Sequence, residues 1–151
     1  MARVSAVISE RMGLYFPEDR WPELAENLKK ASQALGFADP DGCVSQLASQ
    51  ELTLRQIEIL ANHLTVGETY FFREPASFDL LEREILPALI AKRRGLGQTL
   101  RFWSAGCCTG EEAYTLAITC LRTLPDIAHW NISILATDIN PRFLDLSLIH
   151  I

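Results

Sequence analysis

The stretch RFWSAGCCTGEEAYTLAI, from Arg101 to Ile118, followed by ILATDIN, from Ile134 to Asn140, constrains the fold of this chain more than any other feature. An apolar run enters a turn bounded by Gly106 and Gly110, a helix-like segment follows, and a second apolar run ends in Asp138. Strand, loop, helix, strand and acid in that order describe one βαβ unit of a doubly wound sheet. In the nucleotide-binding half of such a sheet, backbone at the first turn approaches the ligand, and an acid at the carboxyl end of the second strand accepts from ribose hydroxyls. Asp138 follows Gly106 at about the length of one such unit, so it is either that acceptor or simply the residue that ends the strand.

The first turn narrows the ligand class. Its glycines form G-x-x-x-G, not the G-x-G-x-x-G of dinucleotide sites, which disfavours a nicotinamide oxidoreductase. Glu111 and Glu112 fall where the first turn of the next helix should be, and carboxylates suit the positive end of a helix dipole. An acid projecting from there into a cleft repels phosphate and favours a ligand with a cationic or hydroxyl-rich face. S-adenosylmethionine has both, a sulfonium and an ammonium beside a ribose. Upstream, in VGETYFFRE (Val66 to Glu74), Thr69 and Arg73 are four apart and are expected to share a helix face. Arg73 either pairs with Glu74 or another nearby acid, or holds a carboxylate of cofactor or substrate in a bidentate fork.

The rest of the chain supplies a scaffold. At 151 residues and 48% hydrophobic it has the length of about one domain and enough apolar material for a core. A net charge of -5 argues against nucleic-acid binding, which needs a concentrated basic surface. The only basic cluster, Lys92, Arg93 and Arg94, is read as closing a helix before Gly95. No stretch approaches the roughly 20 apolar residues of a membrane span, and MARVSAVISERMG lacks the apolar core of a signal peptide, so a cytoplasmic protein without membrane insertion is expected. Cys43, Cys107, Cys108 and Cys120 show no C-x-x-C spacing and are read as reduced, buried thiols. His63, His129 and His150 are scattered singly, and no metal site is expected.

The first 74 residues read as helices punctuated at Pro17, Gly36, Pro40 and Gly67. Pro22 suits a helix start whose Leu24, Leu28, Ala31 and Leu35 share a face. Thr53 and Gln56 match a capping box before the stripe Ile57, Leu60, Ala61 and Leu64. A helix from about Pro75 to Arg94 is expected to turn Phe78, Leu81, Ile85 and Leu89 inward and to kink at Pro87. Strands are predicted at Leu100 to Trp103 and Ile132 to Ala136, with Thr109 as cap of the intervening helix and Asn140 and Pro141 opening another.

Taken in order, VGETYFFRE, RFWSAGCCTGEEAYTLAI and ILATDINPRFL resemble the chemotaxis receptor methyltransferases, the CheR family, over roughly Ile8 to Leu146. The resemblance implies an α/β protein with an all-helical N-terminal domain, residues 1–74, and the start of a Rossmann-like S-adenosylmethionine-dependent methyltransferase domain, residues 75–151. It implies methylation of glutamate side chains on the cytoplasmic helices of bacterial chemoreceptors by a monomeric enzyme. It carries cofactor contacts onto Thr69, Arg73, Glu112 and Asp138, beside a turn whose Gly106 backbone approaches the ligand, and makes Arg73 the candidate catalytic residue. Two positions depart from the family. Gly67 stands where Asn is frequent, and Ala113 where Pro is frequent. The implied reaction needs neither metal nor strong base, because a glutamate carboxylate is already a nucleophile and a sulfonium already an activated leaving group; positioning and water exclusion supply the rate.

The tail SLIHI replaces a charged stretch expected in the family. The chain therefore reads as an N-terminal fragment holding two parallel strands, with flanking helices, of a larger sheet. Such a piece would leave a strand edge open and be weak or inactive alone. The competing expectation is a non-enzymatic module whose helices dock on receptors while the α/β remnant only packs.

Overall fold

The computed structural model describes residues 1–49 and 51–147; His150 and the SLIHI tail beyond Ser147 lie outside them. The chain forms two compact units, Met1–Val66 with Ile139–Pro141, and Gly67–Asp138 with the residues from Arg142.

The first unit is helical: α1 (Ala2–Met12), a 3-10 turn (Glu18–Arg20), α2 (Trp21–Ala34), α3 (Pro40–Ser49) and α4 (Leu54–Leu64). Its core follows the apolar spacing of each helix, with Val4, Ile8 and Met12 of α1, Leu24, Leu28 and Ala31 of α2, and Leu60, Ala61 and Leu64 of α4 all buried. Pro22 lies in the first turn of α2, where a missing N–H is harmless. The capping box forms in full: Thr53 Oγ1 accepts from the Gln56 N–H at 3.3 Å, and Gln56 Oε1 accepts from the Thr53 N–H at 2.9 Å. Asn140, 1% exposed, donates from Nδ2 to Thr65 Oγ1 at 2.8 Å and to the Ala61 carbonyl at 3.3 Å, meeting groups at the end of α4.

The second unit holds α5 (Pro75–Leu80), a π-turn (Leu81–Ile85), α6 (Leu86–Arg93), β1 (Thr99–Ala105), α7 (Glu111–Thr123), a 3-10 turn (Ile127–His129), β2 (Asn131–Thr137) and α8 (Pro141–Asp145, whose first residue groups with the other unit). The strands pair in parallel from Thr99 opposite Asn131 to Ala105 opposite Thr137, as a right-ordered βαβ unit requires. The expected two parallel strands with flanking helices are present. One face of the pair, through Leu100, Phe102 and Ile132, packs with Leu86, Ile90, Cys120, Leu124 and Trp130. On the other face Trp103 and Leu135 are exposed.

The expected inward stripe of the Pro75–Arg94 region is corrected. Leu86 and Ile90 are buried, at 0% and 8% exposure, whereas Ile85 and Leu89 are 43% and 37% exposed. The cause is the π-turn. Pro87 has no N–H, and its ring crowds the carbonyl four residues back, at Arg83; a widened turn there relieves the crowding. The extra residue in that turn rotates the downstream helix by about 100°, which moves the buried stripe on by one position. At the helix end, Arg94 grips Asp126 with Nη1–Oδ2 at 2.6 Å and Nη2–Oδ1 at 3.1 Å, and covers the Trp130 ring at 5.6 Å. The guanidinium holds the Asp126 carboxyl down to about 2.

Candidate functional site

The turn between β1 and α7 is shaped by backbone that few side chains tolerate. Gly106 and Gly110 have φ of 79° and 99°, and Cys108 adopts 49°. Three successive amides of this turn are committed to the end of β2. Gly106 and Cys107 donate to the Thr137 carbonyl at 2.7 and 2.9 Å, and Cys108 donates to Asp138 Oδ2 at 2.8 Å. A phosphate-binding turn aims its amides at the ligand; this one spends them on its own second strand. Thr109 does not cap α7. Gly110 holds the cap position, and the Thr109 hydroxyl donates to Glu111 Oε2 at 2.7 Å instead.

A cleft of about 180 Å³ opens beside this turn, lined by Glu68, Thr69, Tyr70, Arg73, Glu74, Phe78, Gly106 and Glu112. It thus gathers four of the five residues expected at the site: Thr69, Arg73, Gly106 and Glu112. Asp138 is not among the lining residues; it stands half-buried at the end of β2, holding the Cys108 amide. Clefts that enclose a drug-sized ligand run to roughly 300–1,000 Å³, so this one suits part of such a molecule. The space above Gly106 is open, with no atom within 4 Å of where a Cβ would stand.

Glu112 is aimed by Ser104, a fully buried residue of β1 whose hydroxyl donates to Oε1 at 2.6 Å. Ser104 was not singled out in the sequence, where it is one more small residue in an apolar strand. Thr69 and Arg73 do not share a helix face. Residues 65–70 are extended or irregular, a turn covers Phe71 and Phe72, and both side chains reach the cleft through that turn. Arg73 pairs with Glu68 rather than Glu74, donating to the Glu68 carbonyl and lying 3.6 Å from its Oε2. The cleft therefore presents a guanidinium between acids, a set that matches a ligand carrying both a carboxylate and a cation.

The four cysteines are free and buried, as expected. Burial pushes the Cys107 thiol up, with the Asp138 charge adding to the effect, which keeps it protonated and inert. Among the described residues no group of three or more His, Cys, Asp or Glu is placed to hold a metal ion, and no helix is long and apolar enough to cross a membrane.

Comparison with known proteins identifies relatives. The family described as CheR methyltransferase, SAM binding domain, matches residues 67–147. A probable chemotaxis protein methyltransferase of Rhizobium etli is 33% identical over 135 residues, 89% of this chain and 50% of that protein. The chemotaxis protein methyltransferase of Borreliella burgdorferi is 29% identical over 142 residues, 93% of this chain and 50% of its own length. Chemotaxis protein methyltransferase 2 of Vibrio cholerae is 36% identical over 89 residues, 59% of this chain and 30% of that protein. The chain thus spans about half the length of the first two relatives.

Proposed function

The chain belongs to the CheR methyltransferase family, and on that footing we propose that its cleft receives the amino-acid end of S-adenosylmethionine while Asp138 accepts from the ribose hydroxyls. The family cofactor is S-adenosylmethionine. When bound, it supplies a methyl group made electrophilic by a sulfonium. The residues present fit it. Glu112, held by Ser104, would face the ammonium and sulfonium, Arg73 would orient a carboxylate, Thr69 would add a hydrogen bond, and the bare Gly106 backbone would let the ligand come close. The observation that carries the reading is the commitment of the Gly106, Cys107 and Cys108 amides to Thr137 and Asp138, beside an acid-lined cleft. Such a turn offers a pyrophosphate no free amide, and the acids around Arg73 suit a cationic nucleoside better.

The proposed substrate is a glutamate carboxylate on the cytoplasmic helices of chemoreceptors, as the family resemblance implies; the relatives themselves are named chemotaxis protein methyltransferases. Arg73 then sits where it can steer either the cofactor carboxylate or the incoming one, and holding O, CH₃ and S in line supplies the rate. A helical domain over residues 1–74 and a methyltransferase domain from residue 75 are part of the same proposal, the methyl transfer being the work of the whole protein. Titration calorimetry with S-adenosylhomocysteine tests the cofactor reading. The expected result is one site, with Glu112→Gln weakening binding by roughly 10- to 100-fold, the scale of a lost hydrogen bond to a charged group. No heat from a monodisperse sample removes the reading, and binding of NADH in its place returns the turn to the dinucleotide class.

A further inference from the structure

Phe72 is the one residue of the aromatic block with a left-handed backbone, at φ 57°, a conformation that disfavours a bulky side chain. Three groups meet it. Its N–H donates to Thr115 Oγ1 at 3.2 Å, its ring stands edge-on to Phe78 with centroids 5.8 Å apart, and the Arg122 guanidinium lies 5.0 Å above the ring. Thr115 is fully buried in α7, and its own proton goes to the Glu111 carbonyl at 2.7 Å. The hydroxyl therefore ties the first turn of α7, which carries Glu112, to the turn that carries Arg73. Phe72 does not line the cleft, whereas Glu68, Thr69, Tyr70, Arg73 and Glu74 around it do. A left-handed residue at this point sends the ring back against α7 and its next neighbour outward.

We propose that Thr115 is a positioning residue: together with Arg122 and Phe78 it holds Phe72 in the left-handed turn that places Arg73 in the cleft opposite Glu112. The consequence for cofactor binding rests on the reading of the cleft given above, but the brace itself does not. Substitution of Thr115 by Val keeps the shape and removes the acceptor, leaving the Phe72 amide unpaired, whereas Ser restores the hydroxyl. The test uses the full 151-residue chain, with hydrogen exchange of the ligand-free protein and calorimetry with S-adenosylhomocysteine. In Thr115→Val, exchange at Phe72 to Glu74 is expected to quicken roughly tenfold and affinity to fall by a similar factor, while Thr115→Ser behaves as wild type in both. Unchanged exchange in Thr115→Val, or equal quickening in Thr115→Ser, overturns the brace. If the wild-type chain binds no S-adenosylhomocysteine, the cofactor reading falls and the exchange result still decides the brace. Should Thr115→Val not fold, Arg122→Gln, a change at an exposed position, is read the same way: faster exchange at Phe72 to Glu74 supports the brace and unchanged exchange overturns it.

Discussion

A side chain at position 67 has no room. A Cβ there would stand 2.5 Å from Phe143 Cζ, 2.7 Å from Cε1 and 3.1 Å from Cys108 Sγ. The family resemblance puts Asn at this position, and the ring of Phe143 accounts for the glycine: it fills the space an Asn would occupy. Gly67→Ala is expected to displace the ring and lower stability by about 1–3 kcal/mol, the usual cost of overpacking. Adding Phe143→Leu should recover most of that loss. A double-mutant cycle on denaturant midpoints measures the coupling, and additive losses would show that the two positions are independent. Neither Gly67 nor Phe143 announces this contact in the sequence, because they lie far apart and nothing local links them.

Among the elements, those whose signals are local were legible in advance. The Thr53 capping box and Pro22 in the first turn of α2 are each written within a few residues, and the β1–α7–β2 order is a run of such local signals. The shared cleft of Thr69, Arg73, Gly106 and Glu112 was legible through motif order, although the helix face assumed for Thr69 and Arg73 is instead a turn. Beyond reach was a feature decided by tertiary contact, Ser104 beneath Glu112, and missed despite local causes were Gly110 in place of Thr109 at the head of α7 and the π-turn before Pro87. The π-turn makes a sharp prediction, since it exchanges which leucine is core. Leu86→Ala should cost about 2–5 kcal/mol, while Leu89→Ala should cost well under half as much. A larger loss at Leu89 than at Leu86 in urea denaturation would mean that the stripe runs as an uninterrupted α-helix would set it.

For the molecule as a whole, ligand and stability should be linked. A ligand that binds only the folded chain stabilises it by about 2.7 kcal/mol at a hundred times its dissociation constant. S-adenosylhomocysteine at that excess is therefore expected to raise the thermal midpoint by several degrees in wild type and by less in Glu112→Gln; a midpoint that ignores the ligand would argue against the site. The turn that commits three amides to Thr137 and Asp138 adds a question of timing. Its shape is not a property of residues 106–108 alone, because their amides meet their acceptors only when β2 is laid beside β1 across the whole α7 crossover. During synthesis, β1 and α7 leave the ribosome well before Thr137 does, so this turn is among the last parts of the unit to take form. If the turn holds the cofactor as proposed, a chain that has not completed its parallel pairing has no cofactor site with which to compete.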